Sequence, residues 1–343
     1  MDDFEKGIKT TVGQCMDVTS KDRVLIVADT PSKRIGLALK KEALTKTPYV
    51  RFFDLDMPAY GGRPLKTMPS NLMESLDDVS VTFFLAAPKE GELKTVREPF
   101  IQKVISRARH AHMVGVTEAI IKSGMCADYS KVESITMNMY DILKNAKEVS
   151  VKSPAGTDFR ATFDSSMHWI PCTGICRKAG EWDNLPSGEV FTAPDSLEGR
   201  VVVDGSMGEW IEEKYSGVVD YRSSPLIIEI EAGDDGSYMT SANCRNADLL
   251  KDFKAYVGEE KCASRVGELG FGTNVFLKDF IGNMLQDEKF PGVHIALGDP
   301  YHEKTGANWV CGHHIDLVMR GCDVWVDEKQ IMKSGKYLHF SQV

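Results

Sequence analysis

The sequence predicts two domains, an α/β N-terminal domain with a parallel sheet and a β-rich α+β C-terminal domain. The chain has 343 residues, and domains of roughly 100–200 residues are the usual size. Up to about residue 145, short apolar runs alternate with segments of helical spacing, the pattern typical of a parallel sheet flanked by helices. Beyond that point strand patterns dominate. We therefore predict domains at residues 1–145 and 146–343.

The N-terminal domain is predicted to alternate between strands and helices. The run RVLIVA is short, apolar and followed by turn residues, which is typical of a buried strand. Strands are predicted at Arg23–Ala28, Val50–Leu55, Val79–Ala87 and His112–Val116, and helices at Ser32–Leu44 and Glu98–Arg109. The loop after the first strand, ADTPSK, lacks both common phosphate-binding glycine motifs, so no nucleotide site is predicted there. His110 and His112 are predicted to be structural or surface residues.

The C-terminal domain is predicted to be mainly strands. Glu148–Lys152 and Asp158–Phe163 flank the turn sequence Pro-Ala-Gly-Thr, which indicates a hairpin. Further strands are predicted at Val201–Asp204, Leu226–Glu231, Ser237–Thr240, Val293–Leu297, Ile315–Met319 and Asp323–Val326, and helices at Ala247–Tyr256 and Val275–Leu285.

Composition argues against several classes of partner. The formal net charge is −9, and no basic run suggests nucleic-acid binding. No apolar run approaches the roughly 20 residues that cross a bilayer, and the N-terminus lacks the pattern of a signal peptide. We therefore expect a cytoplasmic protein without a membrane or nucleic-acid partner. Its eight cysteines are scattered along the chain, and we predict free thiols.

Four segments of the second domain carry candidate metal ligands. They are GEWDNLPSGEVFTAP with Glu189, VGELGFGTN with Glu268, GVHIALGDPY with His294 and Tyr301, and GHHIDLVM with His314 and Asp316. Taken singly, each has a structural explanation, such as a surface acid, a bulged strand or a core histidine. In a strand, residues i and i+2 share a face, so His314 and Asp316 project together. Imidazoles and carboxylates together could bind one divalent cation or a close pair, making this the predicted metal-binding catalytic domain.

At these four segments the chain resembles the M29 family of metallo-aminopeptidases, the aminopeptidase T group. The resemblance rests on NLPSGEVFTAP, GELGFGTN, HIALGDPY and HHIDLVM. It implies an α/β domain before a metal-binding domain, a homodimer, and a site with two divalent metals, zinc, cobalt or manganese. The implied metal ligands are Glu189, Glu268, His294, His314 and Asp316, with Tyr301 nearby.

This resemblance implies hydrolysis of N-terminal residues from peptides by a metal-activated water. Glu268 or Glu189 would act as the base, and Tyr301 would donate a hydrogen bond to the oxyanion. The same superfamily is similar to the 2,5-dihydroxypyridine dioxygenases, which would use one iron(II) held by His294, His314 and Asp316. Both Glu189 and Glu268 are present, which favours the peptidase. A binding module with a structural metal is the third alternative.

Overall fold

A computed structural model of the chain describes residues 1–215 and 217–338. Its α-helices are α1 (Asp3–Lys9), α2 (Lys33–Ala43), α3 (Ser70–Ser75), α4 (Glu98–Val104), α5 (Glu118–Lys122), α6 (Tyr129–Leu143), α7 (Glu209–Tyr215), α8 (Ala247–Val257), α9 (Met284–Asp287) and α10 (His302–Thr305). Within the described ranges, no helix is long and apolar enough to cross a bilayer.

The strands form three sheets. They are β1 (Val24–Ala28), β2 (Val50–Asp54), β3 (Val81–Phe84), β4 (Arg109–His112), β5 (Glu148–Lys152), β6 (Asp158–Thr162), β7 (Ile170–Cys172), β8 (Trp182–Asn184), β9 (Glu189–Thr192), β10 (Ser196–Val203), β11 (Leu226–Gly233), β12 (Gly236–Asn243), β13 (Val266–Gly272), β14 (Gly292–Gly298), β15 (His314–Met319), β16 (Asp323–Val326), β17 (Lys329–Lys333) and β18 (Lys336–Tyr337).

The first compact unit comprises Met1–Glu133 and Thr173–Ser187. Its sheet has the order β2-β1-β3-β4-β8, and all four strand pairs are parallel. Every residue of β1 is buried, as expected for a strand covered on both faces. The α/β fold class predicted for the N-terminal part of the chain is therefore confirmed.

In open parallel sheets, ligands usually bind beyond the carboxyl ends of the strands where the strand order reverses. Here that position lies after β1 and β3, and the side chain of Arg63 fills it. The guanidinium pairs with Asp29 at 2.7 Å and with Glu92 at 2.5 Å and donates to the backbone oxygen of Ala87 at 2.5 Å. All three charged side chains are buried. The network occupies the place that a nucleotide takes in other such folds.

The buried His110 of β4 makes stability depend on pH. Its Nδ1 lies 2.9 Å from the hydroxyl of Thr82, and burial lowers its pKa to about 3. Because the unfolded pKa is about 6.5, the neutral form is favoured on folding. The resulting contribution to the free energy of unfolding is complete above about pH 6.5. It decreases by about 1.4 kcal/mol per pH unit as the pH falls toward 3.

We therefore expect His110→Asn, which removes the titrating group and keeps a polar partner for Thr82, to show a shallower acid destabilisation than the wild type. The measurement is the urea unfolding free energy at several pH values below neutrality. The exposed His302 provides the control, since His302→Ala should follow the wild-type curve. Identical pH dependence in His110→Asn and the wild type would rule out this role.

The second compact unit comprises Ser134–Cys172 and Gly188–Val343. It contains an eight-stranded sheet, β12-β11-β10-β6-β5-β16-β17-β18, and a five-stranded sheet, β15-β14-β13-β9-β7. All strand pairs in both are antiparallel. A single cluster of buried apolar side chains includes residues from both sheets. The predicted β-rich second part is therefore confirmed.

Two predicted elements are wrong. The strand expected at His112–Val116 lies earlier, at Arg109–His112, because pairing with β3 buries polar residues there that gave no apolar signal. The helix expected at Val275–Leu285 is absent except for its end in α9. The carboxylate of Asp287 accepts hydrogen bonds from the backbone N–H groups of residues 281–283 at 2.8–3.2 Å. These N–H groups donate to the buried carboxylate and are therefore not available for the hydrogen bonds of a helix.

The prediction that all cysteines are free is also wrong for one pair. Cys262 and Cys311 form a disulfide across 49 residues. The free thiols are Cys15, Cys126, Cys172, Cys176, Cys244 and Cys322. Neither member of the bonded pair lies in a spacing motif, so only the pairing of distant segments brings them together.

Candidate metal centre

The five predicted metal ligands lie in the five-stranded sheet and project from one face. Glu268 of β13 and Asp316 of β15 both lie opposite Ala296 of β14, and directly opposed residues share a face. His294 is two residues from Ala296, and His314 is two from Asp316, so both join that face. Glu189 of β9 lies opposite Gly272, four residues from Glu268. Antiparallel pairing thus gathers side chains that are far apart in the chain.

Glycine makes room for this cluster. The imidazole of His294 lies across Gly270, where an added Cβ would come within 2.1 Å of Nε2. At Gly272 an added Cβ would come within 2.0 Å of the backbone oxygen of Phe290. Glu268, Gly270 and Gly272 occupy every second position of β13 and therefore share one face. Gly270 therefore makes room for the imidazole of His294, and Gly272 lets the backbone at Phe290 approach the strand.

Glu268 is the centre of the cluster. Its Oε1 lies 3.1 Å from Nε2 of His294, and its Oε2 lies 3.8 Å from Nε2 of His314. His314 Nε2 is also 3.3 Å from Asp316 Oδ1. Glu268 belongs to two groups of possible metal ligands. The first group also contains Glu189 and His294, and the second also contains His314 and Asp316. Within each group the ligand atoms lie within 4.8 Å of one another.

Several details fit a bound metal ion. Glu189 and Glu268 are 5% and 4% exposed, and His294 is 1% exposed. The Oε2 atom of Glu189 is buried and has no hydrogen-bond partner among the described residues. His314 directs Nδ1 to the backbone oxygen of Asp299 at 3.0 Å, which leaves Nε2 facing the carboxylates. Metal-ligating histidines are commonly oriented in this way.

The site holds protons tightly when no cation is bound. Burial disfavours the charged form of His294, but the hydrogen bond and charge of Glu268 outweigh it and raise the pKa to about 9. Burial likewise opposes protonation of His314, and the charge of Asp316 raises its pKa to about 10. Because a metal ligand must be a neutral imidazole, cation binding at neutral pH would release these protons.

Lys289 belongs to this site, and the sequence did not predict it. Its Nζ lies 2.5 Å from Oε1 of Glu189 and 2.6 Å from Oε1 of Glu288, and the side chain is 1% exposed. The surrounding sequence, QDEKFPG, is a charged run that normally indicates a solvated turn. No local signal marks this lysine, because its main partner is 100 residues away.

Tyr301 lies at the edge of the cluster. Its backbone adopts the left-handed conformation at φ 51° and ψ 52°, which is costly for a residue other than glycine and often marks functional positions. The ring centroid lies 4.8 Å from that of His314 and 5.7 Å from that of Phe191, and the residue is 38% exposed. The structure therefore brings Tyr301 to the predicted place, while its catalytic role stays a prediction.

A cluster of buried imidazoles and carboxylates on one sheet face, preceded by an α/β unit, is typical of metal-dependent enzymes. The model of the 2,5-dihydroxypyridine 5,6-dioxygenase family, NicX, matches residues 109–339, more than half of the chain. The chain therefore belongs to the 2,5-dihydroxypyridine 5,6-dioxygenase family.

One relative is the 2,5-dihydroxypyridine 5,6-dioxygenase of Pseudomonas putida KT2440. It is 28% identical over 205 residues, which cover 57% of this chain and 55% of the relative, so the alignment spans about half of that protein's length. This family assignment favours the dioxygenase alternative over the aminopeptidase interpretation of the sequence.

Two solved structures share the fold. The 2,5-dihydroxypyridine dioxygenase from Pseudomonas putida KT2440 superposes with a TM-score of 0.67 at 20% identity, covering 98% of this chain and 96% of that chain. AmpT from Thermus thermophilus superposes with a TM-score of 0.69 at 15% identity, covering 98% and 99%. At these identities the similarity shows the two-domain architecture, which the dioxygenase and AmpT have in common.

Proposed function

We propose that the chain is a mononuclear iron(II) dioxygenase that opens a dihydroxylated nitrogen heteroaromatic ring, such as 2,5-dihydroxypyridine. His294, His314 and Asp316 are the proposed ligands, two imidazoles and one carboxylate as in other non-haem iron oxygenases. The family match supports this substrate class. Glu268, which lies within 4 Å of both histidines, joins the two donor groups that contain the three side chains, and this supports the metal site.

The buried ammonium of Lys289 is the observation that carries the proposal of a single metal. Its Nζ lies 2.5 Å from Oε1 of Glu189 and 2.6 Å from Oε1 of Glu288. A second cation next to His294 would have to share Glu189 with this ammonium. Two cationic groups on one buried carboxylate repel each other, which is costly where water cannot screen them.

The neighbouring side chains suit an aromatic substrate. Bound iron would supply the redox chemistry that joins dioxygen to the ring. Tyr301 and Phe191 pack edge to face at 62° and form an aromatic wall beside His314, against which a planar ring can stack. Burial raises the pKa of Glu268, so its Oε2 is suited to accept the proton of a ring hydroxyl.

A two-metal aminopeptidase is the second candidate. It is supported by the pair of donor groups that share Glu268, since a bridging carboxylate is a usual part of two-metal sites. The second cation would bind Oε2 of Glu189, which has no hydrogen-bond partner among the described residues, but Oε1 of the same carboxylate already pairs with Lys289. This competition makes it the less favoured candidate.

Metal analysis together with two substrate assays tests the proposal. We expect protein loaded anaerobically with iron(II) to retain about one equivalent per chain and to consume about one dioxygen per 2,5-dihydroxypyridine opened. Asp316→Asn should lose both properties. Retention of two equivalents of zinc, cobalt or manganese, with release of amino acids from unblocked peptides and no oxygen uptake, would replace this proposal by the aminopeptidase.

A further inference from the structure

A second group of metal-ligating side chains lies outside the centre described above. Cys262 is in a 3₁₀ turn, Lys261–Ser264, just before β13, and Cys311 lies three residues before β15. Their disulfide therefore joins the segments that lead into the strands of Glu268 and His314. Neither sulfur belongs to the proposed iron site.

The surroundings of the disulfide supply further donor atoms. A carboxylate oxygen of Glu260 and the sulfurs of Cys262 and Cys311 all lie within 4.8 Å of one another. Nδ1 of His313 is buried without a hydrogen-bond partner in the described part of the chain and lies 3.7 Å from Oε1 of Glu260. Two thiolates, one imidazole and one carboxylate are a suitable donor set for four-coordinate zinc.

Charge near this group also favours a cation. The other ring nitrogen of His313 pairs with Glu259 at 2.7 Å, so the carboxylates of Glu259 and Glu260 both lie beside this imidazole. The adjacent Lys261 is directed away and pairs with Asp235 at 2.8 Å. In the oxidised protein the sulfurs carry no charge and are poor ligands. After reduction, two thiolates would join these acids and concentrate negative charge at one place.

We propose that the reduced protein binds a thiophilic divalent cation, such as zinc, through Cys262, Cys311 and Glu260, with His313 as the fourth ligand. Reduction by an external dithiol transfers two electrons and two protons to the disulfide, and the dithiol becomes a cyclic disulfide. Each cysteine thiol then releases its proton when the metal binds. The disulfide would thus join these two segments in the oxidised protein, and the bound metal would join them in the reduced protein. The site is independent of the proposed dioxygenase reaction.

Cobalt(II) is the probe, because thiolate ligation gives a sulfur-to-cobalt charge-transfer absorption that imidazole and carboxylate ligation does not. We titrate the full chain with cobalt(II) after reduction and removal of the dithiol, and again in the disulfide form. We expect reduced protein to bind about one equivalent more than oxidised protein and to show this absorption. Oxidised protein should lack it, and this comparison needs no substitution.

Single variants identify the ligands. Cys262→Ser and Cys311→Ser should each lose the absorption and the additional equivalent, whereas reduced Cys126→Ser and Cys172→Ser should keep both. Equal cobalt binding by reduced and oxidised protein would overturn the proposal. So would an absorption that survives in Cys262→Ser or disappears in Cys172→Ser, since either result places the thiolate ligand elsewhere.

Discussion

Replacement of His314 by alanine is expected to lower the affinity of the centre for a divalent cation by at least about 100-fold. Loss of a side chain that only orients a ligand typically costs 10–100-fold, and His314 is itself a proposed ligand. Its Nε2 lies within 4 Å of both Asp316 and Glu268. We would measure affinity by competition with a chromogenic chelator, and ring opening in parallel.

His302→Ala is the matched control, because His302 is an exposed histidine in the same unit. This variant should retain the metal affinity of the wild type. If His314→Ala bound metal as tightly as His302→Ala, the cluster around Glu268 would not be the metal centre, and the proposed reaction would lose its basis.

The second large effect is expected for Lys289→Met. Removing one member of a buried ion pair leaves an uncompensated charge and typically costs about 3–5 kcal/mol. Here the ammonium pairs with Glu189 and Glu288, all three being at least nine-tenths buried. Methionine has a similar length, so the loss of stability measures the effect of removing the positive charge. We expect the unfolding free energy of the metal-free protein at neutral pH to fall by this amount, measured by urea denaturation with a chelator present.

Lys278→Met provides the comparison, because Lys278 is exposed, and surface substitutions usually change stability by less than about 0.5 kcal/mol. Excess divalent cation should restore part of the loss in Lys289→Met, since Glu189 then becomes available as a ligand. Equal stability of the two variants would show that Lys289 does not neutralise the buried acids, and the argument for a single metal would fail.

Local sequence pattern was sufficient for several strands and for the pairing of His314 with Asp316 on one face. The apolar run at Val24–Ala28 specifies a buried strand because its side chains are hydrophobic on both faces. The alternation of side chains along a strand places His314 and Asp316 together, and the structure has them on one face. The glycines around Glu268 are visible in the sequence, but only the structure shows that one of them, Gly270, makes room for the His294 imidazole.

Other features depend on partners that lie far away in the chain. Lys289 is buried because Glu189, 100 residues earlier, comes to face it across the folded site; in its own segment it is one member of a charged run. The Cys262–Cys311 pairing spans 49 residues, and residues 173–187 return to the first unit to supply β8. Side-chain periodicity is a property of the local backbone, whereas the choice between burying and exposing a charge or a thiol depends on which distant segment packs against it.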